Sequence, residues 1–132
     1  MRAGRSFVLV MIVTLISMAL AACGSAGAAF PTGHFASEKD AANGWDFNPD
    51  GTWAAYLASA EPFARGTYSV EGNIYTETSN DIGDPDPACQ GVGKYKWSFD
   101  GSKLTLELLE DTCAARARAY PGVWVLQNDK SY

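Results

Sequence analysis

The sequence predicts an all-β protein, a small antiparallel up-and-down β-barrel of about eight strands with one short helix before the last strand. Three observations predict it. From Phe30 onward, short runs rich in aromatic and β-branched residues alternate with Gly, Pro, Asn and Asp turns. The connections between most runs are short enough for hairpins, and closing such a meander into a barrel removes its exposed edges. The chain of 132 residues is also long enough for one hydrophobic core and too short for two. A two-sheet sandwich is the competing architecture.

Taken in order, the first segment stands apart from the fold. Arg2 and Arg5 precede a nearly uninterrupted apolar run from Phe7 to Leu20, closed by Leu20-Ala21-Ala22-Cys23. A positive start, an apolar middle and a small-residue end make a secretory signal, and the run is short for a spanning helix. A cysteine directly after Leu-Ala-Ala resembles the bacterial lipoprotein signal, in which Cys23 is lipidated and becomes the first mature residue. Residues 1–22 are therefore expected to be the signal peptide, 23–30 the lipidated Cys23 and a flexible tether, and 31–132 the barrel domain. That expectation puts the protein in a bacterial cell envelope outside the cytoplasm, periplasmic or at the surface, held to a membrane through the lipid on Cys23.

The eight candidate strands lie near residues 31–37, 43–48, 52–59, 66–70, 73–79, 92–99, 103–110 and 122–127. Asn48-Pro49-Asp50-Gly51 joins the second and third, with proline presetting φ and glycine free to take the left-handed region. A three-residue loop there sets Phe47 opposite Trp53 and Trp45 opposite Ala55. Glu71-Gly72-Asn73 joins the next pair; read as a three-residue loop, it sets Val70 against Ile74 and Tyr68 against Thr76, and points Tyr75 outward. Asp100-Gly101 carries type I′ hairpin chemistry. In that register Trp97 faces Leu104 and Tyr95 faces Leu106 on one side, with Lys96 facing Thr105 and Lys94 facing Glu107 on the other. Cys113 to Tyr120, with Ala and Arg interleaved, reads as the short helix, stopped by Pro121-Gly122.

Charge and cysteines narrow the function classes. The chain carries ten Lys and Arg against fifteen Asp and Glu, a net charge of −5, and losing the two leader arginines makes the mature domain more acidic. Nucleic acid is an unsuitable partner for such a surface, while a basic protein is electrostatically compatible. Of three cysteines, Cys23 belongs to the lipid, and Cys89 with Cys113 reads as a disulfide in an extracytoplasmic domain. It would close a loop of about 25 residues, worth about 3 kcal/mol in the chain-entropy model.

Phe47-Asn48-Pro49-Asp50-Gly51-Thr52-Trp53 and Gly66-Thr67-Tyr68-Ser69-Val70-Glu71-Gly72-Asn73 resemble the front of small bacterial lipocalin-like (calycin-type) domains. Gly93-Lys94-Tyr95-Lys96-Trp97-Ser98-Phe99-Asp100-Gly101, Leu104-Thr105-Leu106 and Asp111-Thr112-Cys113-Ala114-Ala115-Arg116 are similar to their second half. The family's Gly-x-Trp maps to Gly33-His34-Phe35, with Phe35 where the Trp is expected and Arg116 or Arg118 as its capping arginine. The resemblance covers about residues 31 to 127 and implies binding of a small apolar molecule inside the barrel, without catalysis and without a cofactor.

Trp53, Tyr68, Tyr95 and Trp97 are the residues expected to line such a pocket, with Trp45 and Phe47 beside them. The competing reading has these rings filling the barrel, since eight strands enclose a space that side chains just fill or that holds one small ligand. Asp46-Phe47-Asn48-Pro49-Asp50-Gly51 matches the start of a calcium loop, but Leu57 stands at the twelfth position and a hairpin turn explains the same letters. Asp81, Asp84 and Asp86 form an acidic loop, read as a solvated turn. His34, the single histidine, has no nucleophile motif to serve, and no pair of carboxylates stands out for glycoside chemistry. The expected function is that of a non-enzymatic lipoprotein binding a small apolar ligand. The alternative is an acidic protein-interaction module with a filled barrel, such as an inhibitor of a basic envelope or host protein.

Overall fold

A computed structural model describes residues 29–82 and 86–128 of the chain; the leader, Cys23, Asp84 and the side chain of Asp81 lie outside the described residues. Eight strands follow one another as β1 (Gly33–Ser37), β2 (Asn43–Phe47), β3 (Thr52–Leu57), β4 (Ala64–Glu71), β5 (Ile74–Ile82), β6 (Val92–Phe99), β7 (Lys103–Asp111) and β8 (Gly122–Gln127). Each pairs antiparallel with the next, and β8 returns to β1 with Phe35 opposite Leu126, so the sheet closes. The architecture is the up-and-down barrel rather than the sandwich. A six-residue helix, α1 (Ala114–Ala119), precedes β8.

The two ends of the barrel differ. One carries the tight turns after β2, β4 and β6 and the entry of the chain; the other carries the longer connections, the 3-10 turn Pro87–Gln90 and α1. The β2–β3 turn has the expected three-residue loop, with Phe47 opposite Trp53 and Trp45 opposite Ala55. The other two turns correct the expected registers. Gly72 and Asn73 alone form the β4–β5 loop, so Val70 faces Tyr75 and Tyr68 faces Glu77. Gly72 takes φ 58° at the first loop position, the place glycine occupies in a type II′ hairpin. A one-residue difference in register exchanges the two faces of a strand, so Tyr75 turns inward and is fully buried.

In the β6–β7 turn the loop is Gly101-Ser102, one residue later than expected. The Asp100 carboxylate accepts from the backbone N–H of Ser102 at 2.9 Å and of Lys103 at 2.7 Å, an Asx-type turn. Trp97 therefore faces Leu106, Phe99 faces Leu104, and Lys96 faces Glu107. The slip moves each strand by one position, so the apolar and polar faces stay sorted as expected while every partner changes.

The inner face is packed with rings. Phe35, Trp45, Phe47, Trp53, Tyr75, Tyr95, Leu104 and Leu106 are all less than 2 % exposed, and each such side chain stabilises the fold by about 1.5–3 kcal/mol. Phe30, assigned from sequence to the end of the tether, closes the end that carries the tight turns. Its ring lies 5.1 Å from Phe47, 5.1 Å from Tyr75, 5.3 Å from Tyr68 and 5.2 Å from Trp97. At the other end Cys89 and Cys113 form the expected disulfide, tying the 3-10 turn to the start of α1.

Candidate functional site

Two features of the helix end carry polar chemistry into the barrel. The first is a β-bulge. Lys94 faces Glu110 but Tyr95 faces Leu108, so Leu109 is an extra residue on β7. Without it Asp111 would share the outward row of Thr105 and Glu107; with it, the Asp111 carboxylate turns inward opposite Gly93. The second is α1, capped at its start by Cys113, whose Sγ accepts from the Arg116 N–H. One turn of helix then drops the Arg116 side chain into the barrel mouth, where the residue is 5 % exposed.

All five guanidinium N–H groups of Arg116 find acceptors. Nε and Nη2 grip Asp111 bidentately at 2.6 and 2.7 Å. Nη1 donates to the Ser79 hydroxyl at 2.9 Å and the Cys89 carbonyl at 3.2 Å, and Nη2 also donates to the Gly91 carbonyl at 2.9 Å. One side chain thus ties α1, the 3-10 turn, β5 and β7 together. Tyr95 donates its hydroxyl to Asp111 as well. Burial by itself would raise the Asp111 carboxyl, but the hydrogen bonds from Arg116, Tyr95 and the Cys113 N–H outweigh it and hold it below its ordinary value.

Glu77 sits beside this pair under different rules. It is fully buried and accepts from the Tyr75 hydroxyl through Oε2 at 2.9 Å. Its Oε1 lies 3.2 Å from Arg116 Nε, but that N–H is committed to Asp111, and Oε1 has no hydrogen-bond partner. Desolvation pushes the Glu77 carboxyl up to about 8, with the Arg116 charge and the Tyr75 hydrogen bond offsetting only part of it. At neutral pH the network is therefore one ion pair, Arg116 with Asp111, next to a carboxylic acid held mainly neutral. Such a group is either a silent structural acid or a proton store.

The four residues expected to line a pocket are dispersed, and the protein itself uses the polar atom of each. Trp53 donates its indole N–H to the Thr67 carbonyl at 3.2 Å, and Trp97 donates to the Gly72 carbonyl at 3.1 Å. Tyr68, half-buried, donates to the Asn48 carbonyl at 2.7 Å. Tyr68 and Trp97 meet Phe30, whereas Tyr95 lies with Tyr75 and Tyr120, and Trp53 with Trp45. One open space among the described residues lies elsewhere. A cleft of about 70 Å³ opens at the helix end between β2, β3, the β3–β4 loop and α1, lined by Trp45, Tyr56, Phe63, Ala119, Tyr120 and Trp124. Among the described residues no charged side chain lines it.

No family model, no curated protein and no solved structure matches the chain. The site therefore rests on its own geometry.

The remaining candidates resolve into local roles. His34 donates from Nδ1 to Asp46 at 2.6 Å, and Tyr56 donates to the other Asp46 oxygen at 3.0 Å. This cluster sits on the outer wall of β1–β3. Asp50, the second acid of the calcium-loop letters, instead accepts from the Thr52 N–H and hydroxyl within the turn. Asp86 caps the 3-10 turn by accepting from the Ala88 N–H at 2.9 Å. Of the two arginines offered as caps for Phe35, Arg118 is exposed and donates to the Ala114 carbonyl. Arg116 is the one that enters the barrel. Phe35 itself packs on Phe47 and Phe99. Sequence reasoning missed Glu77 and Asp111 because each needs a register detail to face inward. The signal for Glu77 was Gly72-Asn73 read as a two-residue hairpin loop.

Proposed function

We propose that the chain is a lipid-anchored, extracytoplasmic lipoprotein whose lipocalin-like barrel binds a small apolar ligand and carries out no reaction. The observation that carries this reading is the aromatic cleft at the helix end, with Trp45, Tyr56, Phe63, Tyr120 and Trp124 around an uncharged opening. Flat rings and few polar groups suit a small apolar molecule. The Leu20-Ala21-Ala22-Cys23 signal supports the anchor, and the Cys89–Cys113 bridge fits an oxidising compartment. With the inner rings packed and Phe30 seated at the far end, the ligand belongs at the cleft rather than in the middle of the barrel. Native mass spectrometry of the protein, drawn gently from the envelope, tests the reading. An added mass that leaves under mild activation is expected; a bare mass would overturn it.

The filled interior also favours a second reading, an acidic module that acts through its surface. Leu57, Phe63, Val92, Leu108 and Leu109 are exposed apolar side chains on a chain of net charge −5, a combination that suits a basic protein partner. Capture of a basic protein such as lysozyme, lost at moderate salt, together with a bare mass, is the result that would select this reading.

A further inference from the structure

Nine residues line the cleft at the helix end, and five of them are aromatic. Trp45 is wholly buried and packs behind the others, its ring 4.2 Å from Tyr120 and 5.2 Å from Trp124. Tyr56, Tyr120 and Trp124 keep a little open surface and Phe63 is half-exposed, so these four rings are what a ligand meets. Two of them spend their polar atoms on the protein. Tyr56 donates its hydroxyl to Asp46, and Trp124 donates its N–H to the Tyr120 carbonyl at 3.0 Å. An aromatic wall differs from an aliphatic one in the negative charge on its ring faces, which attract a cation. Two exposed carboxylates stand close to the opening. Asp40 accepts from the side chain of Asn43, a lining residue, at 3.4 Å, and Glu61 precedes Phe63 by two residues in the β3–β4 loop. Of the cations adjacent in sequence, Arg118 reaches back along α1 to the Ala114 carbonyl and Lys39 lies over Gly122; neither lines the cleft.

We propose that the cleft binds the trimethylammonium head of a small, free quaternary amine, a cation wrapped in methyl groups. This rests on the ligand-binding reading above and names the head group of that ligand. A cleft of about 70 Å³ has the volume of roughly two waters, far below the roughly 300 Å³ of a pocket that encloses a whole drug-sized molecule, so it takes one compact head. The lining chooses the kind of head. A primary ammonium or a carboxylate would lose its hydrogen bonds to water against ring carbon, whereas a quaternary nitrogen has no N–H to satisfy. Its methyl groups contact the rings while its charge is drawn to their faces and to Asp40 and Glu61 outside. The net charge of −5 favours the approach of any cation. Placement of the cleft favours a free solute over a lipid headgroup. The chain enters the barrel at the opposite end, where Phe30 sits on Phe47 and Tyr75, so a lipid on Cys23 leaves the cleft on the side away from the anchoring membrane.

The test is an NMR titration of the full-length 15N-labelled protein in a neutral maltoside detergent, read at the Trp124 indole resonance, which is assigned by its loss in Trp124→Phe. The probes are choline and 3,3-dimethylbutan-1-ol, which share a shape and differ in the charge at the branched atom. Choline is expected to shift the resonance and saturate, and the neutral alcohol to bind about fivefold more weakly. Phe63→Leu, a change at an exposed rim position, keeps an apolar side chain and removes a ring face. It should weaken choline several-fold, leave the alcohol unchanged and leave the thermal midpoint in place. Glycerophosphocholine, whose phosphate would meet Asp40 and Glu61, is expected to bind several-fold more weakly than choline. Equal binding of choline and the alcohol, or no saturable shift with choline, would overturn the proposal. Glycerophosphocholine binding as tightly as choline would overturn the assignment to a free solute and point to a headgroup. If envelope protein carries an added mass and yet choline leaves Trp124 unmoved, this inference fails while the ligand-binding reading survives.

Discussion

Glu77 is where the fold meets pH. Its carboxyl is raised from an ordinary 4.5 to about 8 by burial, so the folded protein binds a proton that the unfolded chain releases above the ordinary value. Its contribution to stability is fully present below about 4.5 and is lost as pH rises through about 8. The urea midpoint is therefore expected to fall between pH 5 and pH 9, by roughly a few kcal/mol of unfolding free energy. Glu77→Gln, which imitates the neutral acid, should flatten that slope; an unchanged slope would show that Glu77 is not the group responsible. Arg116 argues differently, because its charge is matched and all five donors are used. Arg116→Leu leaves Asp111 charged and Ser79 and two carbonyls without their donor, at a cost of about 3–5 kcal/mol, measurable by chemical denaturation. Neither residue announces itself in the sequence. An inward glutamate and a buried arginine look, letter by letter, like the solvated charges around them.

At the scale of elements, the apolar runs already mark nearly every strand, because aromatic and β-branched residues between Gly, Asn and Asp turns leave little else to form. The short helix is equally plain, from Ala and Arg between Cys113 and Pro121. Registers were harder. The β2–β3 hairpin was readable because Pro49 and Gly51 together demand one loop length. The β4–β5 hairpin was not, because Glu71-Gly72-Asn73 is compatible with two lengths that differ in which face Tyr75 and Glu77 occupy. What decides it is packing. Tyr75 inward stacks at 5.6 Å on Tyr68 and 5.1 Å on Phe30, which outweighs burying a glutamate beside an arginine. Gly66 holds the same pair of strands close. A Cβ there would stand 2.0 Å from the Thr78 carbonyl oxygen and 2.7 Å from the Trp53 ring, so Gly66→Ala must push β4 off β5. A loss of about 3 kcal/mol or more is expected, and a thermal midpoint within a few degrees of the parent would contradict the close approach.

The whole molecule is a closed barrel stoppered at both ends by its own chain, with Phe30 at one and α1 with the disulfide at the other. Phe30→Ala should remove the first stopper, lowering stability by about 3 kcal/mol and opening Trp97 to acrylamide quenching; quenching that stays at the parent level would place another group over that end. The all-β class, the number and order of the strands, the helix before the last strand and the Cys89–Cys113 pairing are legible in the residues alone. These follow from local preferences and from a cysteine count, which need no knowledge of what lies opposite. Only the packed barrel reveals that the expected pocket residues pack within it, that a cleft opens beside Trp45, and that Glu77, Asp111 and Arg116 meet at the barrel mouth. Each of these depends on a bulge, a one-residue register or a cross-barrel contact. Such features are set by the packing of distant strands against one another, and no local run of residues encodes them.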